Sequence, residues 1–151
     1  MYNLNIGSFE ASVESIFDTL NNRGIIMRIL IADDASFMRI MLKDLFEALD
    51  HDVVGEAKDG EEAIKLYSSL LPELVIMDIT MPNVDGIQAL TEIHKIDPKA
   101  VVIMCSALGR KGVVLECIKA GAKDFLVKPF DRERLIDAVN KCFQSNVSHN
   151  S

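Results

Sequence analysis

The feature that most constrains the fold of this 151-residue chain is a repeated alternation of short apolar runs with longer amphipathic stretches. Each run is too short to form a helix on its own, and each amphipathic stretch has apolar residues at helical spacing. Five such pairs within about 120 residues predict a parallel β-sheet with helices on both faces, joined by right-handed crossovers. The predicted strands are Met27–Ala32, a short strand that begins at Val53, Leu74–Met77, Ala100–Cys105 and Phe125–Val127.

The amphipathic stretches predict five helices. The fourth helix is expected to end at Gly121, because glycine readily adopts the left-handed conformation that follows many helices. The predicted helices are recognised by Met38, Leu42, Leu45 and Leu49, by Ala63, Ile64, Leu70 and Leu71, by Ile87, Leu90 and Ile93 within Gly86–Ile96, by Val113–Ile118, and by Leu135, Ile136, Val139 and Phe143.

Polar residues follow the apolar runs at the points where the strands end. Asp33-Asp34 follow the first run, Asp78 the third, Ser106 the fourth and Lys128 the fifth. Function in open parallel sheets is concentrated beyond the carboxyl ends of the strands, so these side chains are predicted to share one edge. Each alone has an ordinary explanation as a helix start, a turn or a surface residue. Their occurrence at successive strand ends indicates a functional site.

The predicted cluster has a definite chemistry. Two carboxylates about 4 Å apart repel each other by about 4 kcal/mol at an effective dielectric constant of 20, so three of them need a cation. Oxygen ligands favour Mg²⁺, or alternatively Mn²⁺. A carboxylate beside such a metal, a lysine and a hydroxyl group is suited to accept a phosphoryl group, because the cations neutralise the transferring oxygens.

Composition excludes several other classes of protein. The chain has 16 Lys and Arg against 23 Asp and Glu, a net charge of −7 that disfavours nucleic-acid binding. No apolar run approaches the ~20 residues that span a bilayer, and no secretory signal is recognisable, so a cytoplasmic protein with no membrane partner is expected. The odd number of cysteines and the scattered histidines favour free thiols and disfavour a zinc site.

Residues 1–26 differ from the rest of the chain. Ser8 is a possible N-cap of a helix that ends near Gly24, and its apolar stripe consists of Phe9, Val13, Ile16, Phe17 and Leu20. The segment is either an accessory helix or a product of start-site choice. We therefore divide the chain into an extension (1–26), an α/β domain (27–145) and a tail (146–151). A monomer is expected, with a dimer through residues 1–26 as the alternative.

Four motifs in this order have a specific resemblance. They are Asp33-Asp34, the stretch D-I-T-M-P-N-V-D-G from Asp78 to Gly86, Ser106-Ala107, and K-P-F at Lys128–Phe130. From Met27 to about Phe143 the chain resembles the receiver domains of two-component response regulators. The runs D-D-A-S-F-M-R, C-S-A and G-A-K-D-F-L-V-K-P-F most resemble those of chemotaxis. The resemblance implies the flavodoxin-like strand order 2-1-3-4-5.

The resemblance also implies a role for each residue of the cluster. Asp78 would accept the phosphoryl group, and Lys128, before a cis Lys128-Pro129 bond, would pair with it. Ser106 would be the switch hydroxyl, and Phe125 the aromatic switch residue that rotates inward. The implied metal ligands are the carboxylates of Asp33, Asp34 and Asp78 and the backbone carbonyl of Thr80. Thr80 and Leu108 occupy the positions that tune dephosphorylation, and neither is the acid or amide often found there.

The implied function is a single-domain phosphorylation switch that catalyses only its own phosphorylation and dephosphorylation. Its expected phosphodonor is a CheA-like sensor histidine kinase, and its expected targets are a flagellar switch protein or a phosphatase. One alternative is a phosphorelay outside chemotaxis. Another is an Asp-nucleophile phosphohydrolase of the haloacid dehalogenase type, although Thr80 stands where that class has its acid/base aspartate. A third is a binding module that has lost phosphorylation.

Overall fold

The computed structural model describes residues 26–144, in which all five predicted strands pair in parallel in the order β2-β1-β3-β4-β5. This confirms the predicted fold class and strand order. The strands are β1 (Arg28–Ala32), β2 (Asp52–Ala57), β3 (Leu74–Asp78), β4 (Val102–Ser106) and β5 (Asp124–Val127). The helices of this region are α1 (Ser36–Ala48), α2 (Gly60–Leu70), α3 (Gly86–Ile96), α4 (Lys111–Lys119) and α5 (Arg132–Gln144).

The sheet separates two apolar cores. Helices α2, α3 and α4 cover one face, and α1 and α5 cover the other. Successive side chains of a strand point to opposite faces, so Leu30 of β1 enters the first core while Ile29 and Ile31 enter the second. The inner strands β1, β3 and β4 are therefore buried on both faces. This double burial explains why they read as continuous apolar runs in the sequence.

The edge strand β2 differs most from its predicted extent. It spans six residues, of which only Ala57 is buried, so its sequence has a weak apolar signal. Ile29 pairs with Val53 and Leu30 pairs with Gly55, so the register shifts at Val54. The fourth strand also begins two residues later than predicted, because the N–H of Ala100 donates to the carbonyl of Asp97 in the preceding turn.

The predicted end of the fourth helix is confirmed at Gly121. This residue has φ +103°, its N–H donates to Ile118 O at 3.0 Å, and the N–H of Ala122 donates to Cys117 O at 3.0 Å. The two bonds form a Schellman motif, which satisfies carbonyls that the helix end would leave without partners. The turn directs the chain from α4 into β5.

Three features bear on the remaining sequence predictions. Cys105, Cys117 and Cys142 are buried free thiols, as predicted. Within residues 26–144, no helix is both long and apolar enough to cross a membrane. The predicted N-terminal helix and the tail of residues 146–151 lie outside the described residues.

Candidate functional site

Asp33 and Asp34 follow the last residue of β1 but occupy different environments. The N–H of Asp33 donates to Ala57 O of β2 at 3.0 Å, and its Oδ1 accepts the N–H of Ala35 at 2.9 Å. Asp33 is 2% exposed, whereas Asp34 is exposed to solvent. The first carboxylate is thus fixed inside the sheet edge, and the second lies at the mouth of the site.

Asp78 is the last residue of β3 and is 6% exposed. The chain after it turns sharply, with the N–H of Ile79 donating to Cys105 O at 3.2 Å and the N–H of Gly86 donating to Ile79 O at 2.8 Å. A Cβ atom on Gly86 would collide with the backbone carbonyl oxygen of Asp78. The final glycine of D-I-T-M-P-N-V-D-G therefore permits the start of α3 to approach the backbone of Asp78.

The loop between β3 and α3 is held at both of its ends. Asp85 caps α3 by accepting the N–H of Gln88 at 2.9 Å, and the Gln88 side chain accepts the N–H of Asp85 at 3.2 Å. This reciprocal pair is a capping box. Asn83 adopts φ +66°, a conformation that asparagine tolerates better than most residues. Thr80 lies in the same loop with its side chain exposed.

Lys128 connects the carboxylates across the sheet edge. Its Nζ donates to Asp33 Oδ2 at 2.7 Å and lies 3.5 Å from Asp78 Oδ1. Its backbone N–H donates to Ser106 O at 2.9 Å, which extends the pairing of β5 with β4. The Lys128-Pro129 peptide bond is cis, as the resemblance implied. The ammonium group is therefore closer to Asp33 than to the proposed phosphoacceptor.

The electrostatics of the site single out Asp78. Burial, followed by the negative charges of Asp33 and Asp34, raises the pKa of Asp78 to about 6 overall, against the opposing effect of Lys128. Burial lowers the pKa of Lys128, but the hydrogen bond to Asp33 and the charges of both buried carboxylates raise it above its usual value overall. Lys128 therefore stays charged, and Asp78 is ionised at neutral pH at a cost in free energy.

The residues at this edge fit a divalent cation. One carboxylate oxygen from each of Asp33, Asp34 and Asp78 lies within 4.8 Å of the other two. With all three ionised, three negative charges and the one positive charge of Lys128 leave −2, which a divalent cation balances. The three donors are all hard oxygens. Such a set suits Mg²⁺ or Mn²⁺.

Ser106 is the last residue of β4, whereas Phe125 is the second residue of β5 and lies further from the edge. Ser106 is 2% exposed, and its Oγ accepts the N–H of Leu108 at 3.1 Å. Phe125 pairs with Met104 across the strands and is 7% exposed, packed in the core beneath α2, α3 and α4. The phenyl ring is therefore buried in this conformation. A phenyl ring has no hydroxyl that would need solvent or a partner, so burial suits it.

Sequence reasoning gave no role to Arg39, which the structure places against this site. Its Nη1 donates to the backbone carbonyl of Asp33 at 2.6 Å, and its Nε lies 3.6 Å from Glu56 Oε1 of β2. Arginine on an amphipathic helix is usually a solvated residue, so the pattern carried no signal beyond its place in D-D-A-S-F-M-R. The bond to a backbone carbonyl is visible only in three dimensions.

Comparisons with known proteins agree with this geometry. The model of the response regulator receiver domain family matches residues 29–140. The chemotaxis protein CheY of Thermotoga maritima is 55% identical over 114 residues, which are 76% of this chain and 95% of that protein. The Bacillus subtilis CheY is 54% identical over 114 residues, with the same shares. A chain from the crystal structure of the CheX–CheY–BeF3–Mg²⁺ complex of Borrelia burgdorferi superposes with a TM-score of 0.78 at 39% identity. That match covers 82% of this chain and 93% of the other.

Proposed function

The chain belongs to the response regulator receiver domain family and is closely related to CheY chemotaxis response regulators, and from this we propose that Asp78 accepts a phosphoryl group from a sensor histidine kinase. The observation that carries the proposal is a buried Asp78 that shares one sheet edge with two further carboxylates and the ammonium of Lys128. The receiver domain would comprise residues 27–145, and the protein would act in the cytoplasm.

The proposed cofactor is Mg²⁺, with Mn²⁺ as a substitute. The carboxylates of Asp33, Asp34 and Asp78, whose oxygens lie within 4.8 Å of one another, would hold it together with the backbone carbonyl of Thr80 that the resemblance implies. A bound divalent cation supplies charge neutralisation to the oxygens of the phosphoryl group. The other contributions to the reaction come from residues of the chain.

The proposed transfer begins with ionised Asp78. A carboxylate oxygen attacks phosphorus, the new O–P bond forms as the bond to the kinase histidine breaks, and the released imidazole nitrogen takes a proton from solvent. A pKa of about 6 leaves Asp78 ionised at neutral pH, and it makes this carboxylate more basic than an ordinary aspartate. Lys128 holds a positive charge 3.5 Å from the attacking group, where the transferring oxygens gain negative charge.

The proposed switch depends on Ser106. In this structure its Oγ accepts the N–H of Leu108, so its own proton is available to a phosphoryl oxygen on Asp78. A hydrogen bond to an ionised acceptor is about twice as strong as a neutral one, so the hydroxyl group should move toward the phosphoryl group. Movement of Ser106 would release the loop that carries Leu108 and reshape the face formed by α4, β5 and α5. The extent of the switch is limited by the difference in free energy that phosphorylation makes between the two states.

The proposed partners follow from this chemistry. A CheA-like kinase would supply the phosphoryl group, and a flagellar switch protein or a phosphatase would recognise the altered face. A CheX-like protein is a candidate, because the similar structure from Borrelia burgdorferi contains CheX bound to CheY. No nucleic acid or membrane partner is proposed. The chain would catalyse no reaction beyond its own phosphorylation and dephosphorylation.

The test is phosphorylation of the full chain by acetyl phosphate with and without Mg²⁺. We expect stoichiometric labelling that requires Mg²⁺, maps to Asp78 by mass spectrometry and is lost in Asp78→Asn. Asp44→Asn is the matched control, because Asp44 is an exposed carboxylate of α1. Labelling at another residue would contradict the assignment. Continuous turnover of phosphate esters would instead indicate a phosphohydrolase, and no labelling at all would indicate a binding module.

A further inference from the structure

Arg39 connects three elements at the edge of the proposed metal site. It lies in the first turn of α1, its Nη1 donates to Asp33 O at the end of β1, and its Nε lies 3.6 Å from Glu56 of β2. Its side chain is only 14% exposed. A positive charge in the first turn of a helix is disfavoured by the helix dipole, so the helix itself does not explain this placement.

The bond from Arg39 acts on the peptide between two proposed metal ligands. The carbonyl of Asp33 and the N–H of Asp34 belong to one planar peptide group, so holding the oxygen holds the plane. Asp33, whose carbonyl belongs to this peptide group, is also fixed, because its N–H donates to Ala57 O and its Oδ1 accepts the N–H of Ala35. Asp34, which is exposed, is joined to the nitrogen end of the same peptide group. Its direction relative to Asp33 therefore depends on the contact with Arg39.

We propose that Arg39 is a positioning residue that gives the acidic site its preference for Mg²⁺ over Ca²⁺, an inference that depends on the proposed function. Mg²⁺ demands nearly ideal octahedral geometry at short distances, whereas Ca²⁺ accepts six to eight oxygens in flexible arrangements. A peptide plane held by Arg39 keeps the carboxylates of Asp33 and Asp34 in one relative orientation. Loss of that contact widens the range of orientations, which penalises the cation with the stricter geometry.

The charge of Arg39 and its positioning role predict effects of opposite sign. A guanidinium group beside a cation site repels the cation, so removal of the charge alone would strengthen Mg²⁺ binding. Removal of a positioning contact would weaken it instead. Groups that orient metal ligands typically contribute about 10- to 100-fold to metal affinity. The sign of the change therefore separates the two roles.

The experiment is calorimetric titration of the full-length protein with MgCl₂ and, separately, with CaCl₂. We expect Arg39→Gln and Arg39→Lys each to weaken Mg²⁺ binding by about 10-fold or more and Ca²⁺ binding by much less. Lysine keeps the charge but lacks the rigid fork with which one guanidinium group donates to Asp33 O and forms an ion pair with Glu56. Lys43→Gln is the matched control, because Lys43 lies on the same helix as Arg39 and its Nζ is 3.9 Å from Glu56 Oε2. The Mg²⁺ affinity of this variant should equal that of the wild type.

A second variant keeps the test independent of the folding of the Arg39 variants. Glu56→Gln retains the guanidinium group but removes the charge that orients it, so it should lower Mg²⁺ affinity in the same direction by a smaller factor. Unchanged Mg²⁺ affinity in the Arg39 variants, tighter binding in Arg39→Gln, or equal losses for both cations would overturn the inference. A wild-type protein that neither binds Mg²⁺ nor takes label from acetyl phosphate would instead overturn the proposed function.

Discussion

Replacement of Asp78 by asparagine should make the metal-free protein more stable at neutral pH, although it removes the proposed phosphoacceptor. Burial, followed by the charges of Asp33 and Asp34, raises the pKa of Asp78 from 3.8 to about 6. One pKa unit corresponds to about 1.4 kcal/mol, so keeping this carboxylate ionised in the folded state costs about 3 kcal/mol. Asparagine avoids that cost, which is already net of the ion pair with Lys128 at 3.5 Å because the pKa of about 6 includes the opposing effect of that charge. We expect a gain of up to about 3 kcal/mol in the free energy of unfolding.

The pH dependence follows from the direction of the shift. Between pH 3.8 and about 6 the folded state of Asp78 binds more protons than the unfolded state. The free energy of unfolding therefore falls as pH rises through this window, and the contribution of the protonated group is lost above it. Asp78→Asn should lack this decline. The difference in stability between variant and wild type should accordingly be largest above pH 7 and shrink toward pH 4.

The measurement is urea denaturation between pH 4.5 and 8 in the presence of EDTA, with circular dichroism as the signal that reports unfolding. Circular dichroism suits a chain that has no tryptophan. The midpoint should move to higher urea in Asp78→Asn with an unchanged slope, which indicates a change in stability rather than in compactness. Asp44→Asn removes one exposed carboxylate and should leave the midpoint near that of the wild type. An Asp78→Asn protein no more stable than the wild type at pH 8 would refute the reasoning.

Three further changes test other parts of the site. Asp34→Asn should raise the melting temperature of the metal-free protein, because it relieves carboxylate repulsion, and should reduce the increase that millimolar Mg²⁺ gives; an unchanged Mg²⁺ response in thermal denaturation would contradict this. Gly86→Ala should destabilise the fold by about 1–3 kcal/mol in urea denaturation, because its Cβ meets the Asp78 carbonyl; wild-type stability would show that the loop yields freely. Ser106→Ala should still be labelled by acetyl phosphate, but nuclear magnetic resonance with beryllofluoride should show smaller shifts in β5 than in the wild type; equal shifts would exclude the hydroxyl from the switch.

The sequence predicted the inner strands and the polar edge well because both follow from burial on two faces of a parallel sheet. Strands β1, β3 and β4 must be apolar on both sides, and their ends must lie together, so Asp33 and Asp78 could be placed from spacing alone. The edge strand β2 has only one buried residue, Ala57, and its extent was accordingly underestimated. Its register shift at Val54 has no counterpart in a hydrophobic pattern.

Arg39 and Phe125 show where sequence reasoning ends. The role of Arg39 depends on a hydrogen bond to the backbone carbonyl of Asp33. Every residue has a backbone carbonyl, so a sequence pattern does not show which one an arginine contacts. The position of Phe125 depends on whether the core beneath α2, α3 and α4 has room for a phenyl ring, which is a question of volume rather than of order along the chain. Both require coordinates, whereas the strand ends required only periodicity.

The unequal compensation of the three carboxylates gives a physical reason for Asp78 to be the phosphoacceptor. Asp33 has an ion pair with Lys128 at 2.7 Å and accepts the N–H of Ala35 at 2.9 Å, so each of its carboxylate oxygens already accepts one hydrogen bond. Asp34 is exposed, so water stabilises its charge. Asp78 is buried, and its contact with Lys128 is longer, at 3.5 Å. Its negative charge is therefore the least stabilised of the three, which leaves its oxygens the most reactive toward phosphorus. A site that placed Lys128 closer to Asp78 would stabilise the resting protein but make its nucleophile weaker.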